Sequence, residues 1–201
     1  MNIETGVDEV GRGAVFGVVV AGAVTISEDQ LEYLQNMGVR DSKKLTATKR
    51  EKLEQVIRSV ADCGIGVASI AEIENLNILN ASLLAMERAI AQLSSPPDHC
   101  FIDGNQRLKF QEIPPIPQTT VVRGDSIYLC IAAASIIAKV WRDRLIIELA
   151  QEYPQYNLEN NKGYATAKHR EAIFKLGLTN LHRSSFCSHL VNSHLVNQVA
   201  N

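Results

Sequence analysis

Three short stretches of the chain each place a carboxylate at the end of an apolar, β-like run and beside glycine. They are Val7-Asp8-Glu9-Val10-Gly11-Arg12-Gly13, Phe101-Ile102-Asp103-Gly104 and Val121-Val122-Arg123-Gly124-Asp125. A charge directly after a buried strand is costly to desolvate unless it is paired or meets a cation. One such stretch reads as a turn, whereas three suggest acids converging at one end of a sheet, where α/β ligand sites tend to lie. No matching His or Cys set accompanies Asp8, Glu9, Asp103 and Asp125. The donors are therefore hard oxygens, suited to Mg²⁺ or Mn²⁺ rather than Zn²⁺. Two such cations about 3.5–4 Å apart can activate a water and stabilise the departing oxygen of a phosphodiester. Adjacent Asp8 and Glu9 point to opposite faces of a regular strand. Both serve one site only if the strand ends or bulges there, a distortion that Gly11 and Gly13 permit. The plainer alternative leaves Asp8 and Glu9 as turn acids, Asp103-Gly104 as a turn and Asp125 as a helix N-cap.

The elements that must position these acids alternate between β-like and helix-like segments, the pattern of an α/β domain. Residues Ile3–Glu9 and Phe16–Ile26 read as consecutive strands joined by a tight turn, with further strands at Gly64–Ile70, Cys100–Asp103 and Thr119–Arg123. Thr48-Lys49-Arg50-Glu51 fits a capping box that opens a helix to about Ala61. An apolar face of Ile78, Leu79, Leu83, Met86, Ile90 and Leu93 predicts a helix over Asn77–Leu93. The longest helix is expected over Ser126–Tyr153. Its Ile131–Ala138 half is apolar nearly all round, as in a helix packed deep inside, and its small residues let backbones approach closely. Residues 1–153 form the main domain in this reading. Residues 154–201, with helices at Thr166–Leu176 and Ser185–Val199, form a helical cap packed on it. Ser-His-Leu-Val-Asn occurs twice, at 188–192 and 193–197. A five-residue step turns a helix by about 140°, so His189 and His194 read as surface polar groups rather than paired ligands.

The bulk composition is that of an ordinary globular protein, with 46% hydrophobic and 21% charged residues among 201. The first residues lack the pattern of a signal peptide. The longest apolar stretches, Ala14–Val24 and Ile127–Ala138, fall short of the roughly 18–20 residues that span a bilayer. A cytoplasmic chain with no membrane contact is expected. Cys63, Cys100, Cys130 and Cys187 are far apart with no CxxC pair, the usage of reduced core thiols. A net charge of −2 argues mildly against a nucleic-acid binder. Basic residues nonetheless crowd into Arg40–Lys52, Lys139–Arg144 and Lys162–Arg170, and cations at an acidic site would make the working face more positive than the formal count. No GxxxxGK[ST] occurs, which disfavours a Walker-type NTPase.

The order of motifs is more specific than any one of them. Gly6-Val7-Asp8-Glu9-Val10-Gly11-Arg12-Gly13 resembles the signature of the type 2 ribonuclease H family, in its bacterial ribonuclease HII branch. Asp41-Ser42-Lys43-Lys44-Leu45, Asn75–Leu79, Ile102–Asn105, Gly124-Asp125-Ser126, Ala132–Val140 with Arg142-Asp143, and Lys162-Gly163-Tyr164 follow in the family's order. The resemblance covers about residues 5–186. It implies a ribonuclease H-like mixed sheet flanked by helices, with Asp8, Glu9, Asp103 and Asp125 as catalytic, metal-binding acids for Mn²⁺ or Mg²⁺. It implies that Gly11, Arg12, Gly13 and Tyr164 sense the RNA–DNA junction, and that Arg12, Lys43 and Lys139 contact phosphates, with Ser135 a further substrate-binding candidate. Telling RNA from DNA requires contact with the 2′-hydroxyl, and a glycine-lined backbone approaches that group closely. The activity implied is hydrolysis of the RNA strand of RNA–DNA hybrids, with incision 5′ of single ribonucleotides in duplex DNA, by a monomer. The sequence departs from the family pattern at Ala14, Arg123, Asn161 and Ala165, none of them a proposed ligand. Three rivals are another carboxylate-metal nuclease such as a junction resolvase, a non-catalytic RNA–DNA binding module, and a small-molecule phosphatase or sugar-phosphate enzyme. A resolvase needs no ribonucleotide in its substrate, and a binding module tolerates loss of Asp103 and Asp125.

Overall fold

In a computed structural model the chain is described over residues 3–40 and 42–188. Two strands, β1 (Ile3–Val10) and β2 (Val19–Ser27), pair antiparallel, and β3 (Asp62–Ala68) continues the meander on β2. On the other side β4 (Cys100–Asp103) joins β1 in parallel, and β5 (Gln118–Val121) joins β4 in parallel. The result is a mixed sheet of order β3-β2-β1-β4-β5. The C-terminal ends of β1, β4 and β5 lie together. Between the strands run α1 (Glu28–Met37), α2 (Ala47–Val60) and α3 (Ile70–Ala91); after them come α4 (Leu129–Glu152), α5 (Leu158–Asn161) and α6 (Ala167–Leu176). Among the described residues no helix is long and apolar enough to cross a membrane.

Several boundaries differ from the sequence expectation, each for a local reason. β2 begins at Val19 rather than Phe16, because the amides of Val15 and Phe16 donate to the Gly163 carbonyl and that of Gly17 to Leu181. The cap of α2 is Thr46, whose hydroxyl accepts from Lys49 N at 3.3 Å, so Thr48 stands inside the helix. α3 starts at Ile70, seven residues before expectation, behind a capping box of Ser69 and Glu72. Asn77 interrupts it at φ 65°, and its side-chain oxygen accepts from the amides of Leu79 and Asn80, recapping the second segment. β5 stops at Val121, since Arg123 adopts a left-handed conformation (φ 57°), and α4 follows only after a 3-10 turn at Gly124–Ser126. α1 has no counterpart among the expected helices. Residues 184–188 are helical; the remainder of the expected helix to Val199, with His189 and His194, lies outside the described residues, as does Asp41.

α4 packs on one face of β1 and β2, with Val24, Cys130, Ile131, Ala134, Ile136 and Ile137 in its core. The contact is backbone to backbone. A methyl added at Gly6 would lie 2.2 Å from the Cys130 carbonyl carbon, and one at Gly22 would lie 2.5 Å from the Ala134 carbonyl oxygen. α3 covers the opposite face of the meander, its Ala85 and Ala89 packing with Ala21 and Ala23 of β2. Beyond α4, Val15, Phe16, Ile146, Tyr156, Leu158 and Ile173 form a third cluster. Two fully or nearly fully buried imidazoles are set into this region. Thr179 N–H donates to His182 Nδ1 (2.9 Å), which puts the His182 proton on Nε2; that group donates to His169 Nε2 (3.2 Å), and His169 Nδ1–H donates to the Tyr164 carbonyl (2.9 Å). The chain of bonds requires both rings neutral. Burial lowers both pKa values, that of His182 to about 4, with His169 adding to the effect.

Two expectations follow. Gly22→Ala forces α4 off the sheet and costs about 1–3 kcal/mol, the range for overpacking a tight core; urea unfolding at an unchanged m-value would establish it, and a wild-type midpoint would refute the close approach. The unfolded imidazoles titrate near about 6.5, above their folded values, so falling pH protonates the unfolded chain first and lowers stability. The stability advantage of wild type over His182→Gln, from urea midpoints, therefore shrinks between about pH 7 and about pH 5. A constant difference across that interval would contradict the neutral pair.

Candidate active site

β1 keeps regular register with β2 through Val10, with Asp8 opposite Gly22 and Glu9 opposite Ala21. There is no bulge. On its other side, however, β1 pairs with β4 only as far as Val7 and Ile102. The sheet opens one residue before Asp8 and Asp103, and the strand end foreseen for these acids exists on that side alone. In the opening, one carboxylate oxygen from each of Asp8, Glu9 and Asp103 lies within 4.8 Å of the others. Asp8 turns back to accept from Glu9 N at 2.7 Å. Asp103 accepts from Gly124 N at 2.6 Å, which ties β4 to the turn carrying Asp125. Asp125 stands outside the group of three. It lies in the Gly124–Ser126 turn rather than at a strand end, and it is not an N-cap, since α4 is capped by Tyr128.

Crowding of like charge shows in the titration of these groups. Burial pushes the Asp8 carboxyl well above its ordinary value, and the charges of Glu9 and Asp103 push it further; the nearby Ser135 hydroxyl pulls the other way. Glu9 is raised by burial against the opposing pull of Arg12, and Asp103 is raised by burial and by Asp125 against its bond from Gly124 N. Two cations touch the set: Arg12 Nη1 reaches Glu9 at 3.1 Å and Lys43 Nζ reaches Asp125 at 3.5 Å. Among the described residues, four carboxylates face these two basic partners, which leaves negative charge in excess. Oxygen donors so placed fit hard divalent cations, which would offset the burial of charge that chiefly holds these pKa values up and the repulsion that adds to it.

The other residues singled out from sequence divide into two groups. Gly13 and Arg12 are exposed on the loop after β1, Lys43 projects into solvent beside Asp125, and Gly11 turns the loop at φ 92°. Tyr164 is half-buried, with Lys139 Nζ and the Arg142 guanidinium each 5.6 Å from its ring centre, and Lys139 is also paired with Asp143 at 2.8 Å. Ser135 is buried on α4, between Asp8 and Ser42, whose hydroxyl is 2.9 Å away, so its contacts are with the acid site itself.

The sequence reading assigned no role to Arg142, which it quoted only as a motif member, or to Arg183. Both are 0% exposed. Arg142 donates to the carbonyls of Phe16, Val18 and Lys162, and Arg183 to those of Gly11, Arg12 and Gly17, at 2.8–3.1 Å. Among the described residues neither makes an ion pair with a carboxylate. An arginine directly after the apolar run of α4 was the available signal for Arg142; nothing local marks Arg183.

Comparison with known proteins agrees with this geometry. A sequence model of the family described as Ribonuclease HII matches residues 5–189. The ribonuclease HII of Trichodesmium erythraeum is 56% identical over 92% of this chain and 86% of its own length, and that of Acaryochloris marina 55% identical over 90% of each. Among solved structures, the ribonuclease H2 of Pyrococcus horikoshii superposes with a TM-score of 0.77 at 26% identity, covering 96% of this chain and 99% of that one. The fold is ribonuclease H-like.

The crowded acids predict a stability signature. Asp8→Asn removes one buried charge while its amide oxygen keeps the bond from Glu9 N. In chelator the variant melts above wild type, by about 2–4 °C for each kcal/mol of repulsion relieved. Mn²⁺ raises the wild-type melting temperature, and the variant's by less. A variant that melts lower in chelator would show that Asp8 is not held against repulsion.

Proposed function

The chain belongs to the ribonuclease HII family, and on that premise we propose that Asp8, Glu9, Asp103 and Asp125 hold the divalent cations with which it cuts. It is a metal-dependent endoribonuclease that hydrolyses the RNA strand of RNA–DNA hybrids. The finer reading is incision on the 5′ side of single ribonucleotides in duplex DNA, leaving a 3′-hydroxyl and a 5′-phosphate. The observation that carries it is the convergence of Asp8, Glu9 and Asp103 in the opening between β1 and β4, directly before the Gly11–Gly13 loop. Mn²⁺ or Mg²⁺, when bound, supplies activation of the attacking water and neutralisation of charge on the phosphate.

The chain's own residues do the rest. Ser135 and the amide of Glu9 orient Asp8, and the amide of Gly124 orients Asp103. Arg12 and Lys43 neutralise Glu9 and Asp125 until cations arrive, and their exposed side chains then serve phosphates, fixing register on the duplex. The Gly11–Gly13 backbone approaches the 2′-hydroxyl, and the Tyr164 ring lies against a sugar or base with Lys139 beside it. Residues 154–188 act as part of the same body, because Tyr156, Leu158, Ala172 and Ile173 of that segment pack with Val15, Phe16 and Ile146. Four free cysteines, three of them buried, suit action in a reducing cytoplasm, and the reading requires one copy only.

The test is a DNA duplex with one ribonucleotide, incubated with Mg²⁺ or Mn²⁺ and, separately, with chelator. Cleavage 5′ of the ribonucleotide is expected only with metal, and Asp103→Asn and Asp125→Asn should lower it by orders of magnitude with duplex affinity little changed. Ordinary turnover by either variant in Mg²⁺ would remove it from the ligand set.

A further inference from the structure

The carbonyl groups of the loop after β1 are not paired with other backbone amides in a regular element. Five of them, those of Gly11, Arg12, Phe16, Gly17 and Val18, accept from two guanidiniums. The same Arg142 that binds Phe16 and Val18 also binds the Lys162 carbonyl at 2.8 Å, two residues before Tyr164. The Tyr164 ring lies over that guanidinium. Gly11 rests directly on it, since a methyl there would stand 2.3 Å from Arg142 Nε, and Gly163 is wedged between Phe16 O and Arg142 Nη2 in the same manner. Arg183 grips the loop from its other side and stacks on the Phe186 ring at 5.3 Å.

This is an unusual use of charge. Both guanidiniums are fully buried, and its own burial together with the charge of Arg142 lowers the Arg183 pKa to about 9. Burying an arginine without a paired carboxylate is costly; the carbonyl dipoles and the Tyr164 and Phe186 rings offset it here, although Arg183 Nη2 has no hydrogen-bond partner among the described residues. A Lys would not substitute, because a guanidinium presents a planar fork of five donors and an ammonium only three. A fork is what fixes two separate chain segments at a set distance and angle.

We propose that Arg142 and Arg183 are positioning residues for ribonucleotide selection, holding the Gly11–Gly13 loop and Tyr164 in one register so that both meet the same nucleotide. The inference rests on the reading that these two loops contact the ribonucleotide. Neither arginine touches the acids, so metal binding is independent of the clamp.

The experiment compares wild type with Arg142→Lys and Arg183→Lys on the single-ribonucleotide duplex, well below each melting temperature and per folded molecule. A shift of about 1 Å in a positioning loop costs about 100-fold in rate, so kcat falls by about that factor while KM changes far less. The Mn²⁺-induced rise in melting temperature stays at the wild-type value. Wild-type kcat in a folded variant overturns the proposal, and so does loss of the Mn²⁺ response together with activity, since the acid site would then be what was damaged. Where a lysine variant does not fold, the Gln variant replaces it, uncharged and still a donor, with the same readouts. If wild type itself fails to cut at the ribonucleotide in the presence of metal, the parent reading fails, an outcome distinct from cleavage that is merely indifferent to the clamp.

Discussion

Three carboxylates within 4.8 Å of one another, two of them on adjacent residues, repel, and the rest of the structure is organised to hold them there. No amount of local propensity produces that arrangement. The sheet supplies the stiffness: β1 is bonded on one side through Val10 and released on the other after Val7, so Asp8 and Glu9 stand on a strand that cannot swing yet faces an opening. α4 supplies the floor. Because Gly6 and Gly22 admit its backbone to the sheet, Ser135 arrives under Asp8 and the turn before α4 brings the Gly124 amide to Asp103. The acids are unfavourable to one another, and a bound divalent cation at the proposed site would relieve that repulsion.

A second constraint governs the substrate side. The loop after β1, proposed above to meet the substrate, has few backbone hydrogen bonds of its own, and a loop with unsatisfied carbonyls is neither stable nor accurate. Here the problem is solved from inside the protein. Arg142 comes from α4, which also carries Ser135, and Arg183 comes from the chain beyond α6. One helix therefore sets both the acid cluster and the loop beside it. The neutral His169–His182 pair extends the same idea to the Tyr164 carbonyl, with tautomers fixed by the Thr179 amide at one end and that carbonyl at the other.

Much of this was legible beforehand, and the reason differs from residue to residue. The strand cores, the deep helix and the small residues at 132–134 announce themselves through hydropathy and size, because burial is a property a side chain carries wherever it lies. Helix starts were less readable. Thr46 and Thr48 are chemically alike, and only the path of the chain after the 3-10 turn at Ser42–Lys44 chose the former as cap. The apolar face placed the start of a helix at Asn77, where the chain does recap one, but it did not show the segment before it, which Ser69 and Glu72 open.

By its residue types and their order the sequence determined that hard oxygen donors gather near glycine loops, and motif order pointed to the ribonuclease HII family. It could not decide that Asp8 and Glu9 share a site on an unbulged strand, that Asp125 belongs to a turn, or that two arginines far apart in the chain grip one loop. Those outcomes depend on where neighbouring strands stop pairing and on which distant carbonyls a guanidinium meets. Both are distances between segments separated by up to 172 positions, and only the packed chain fixes them.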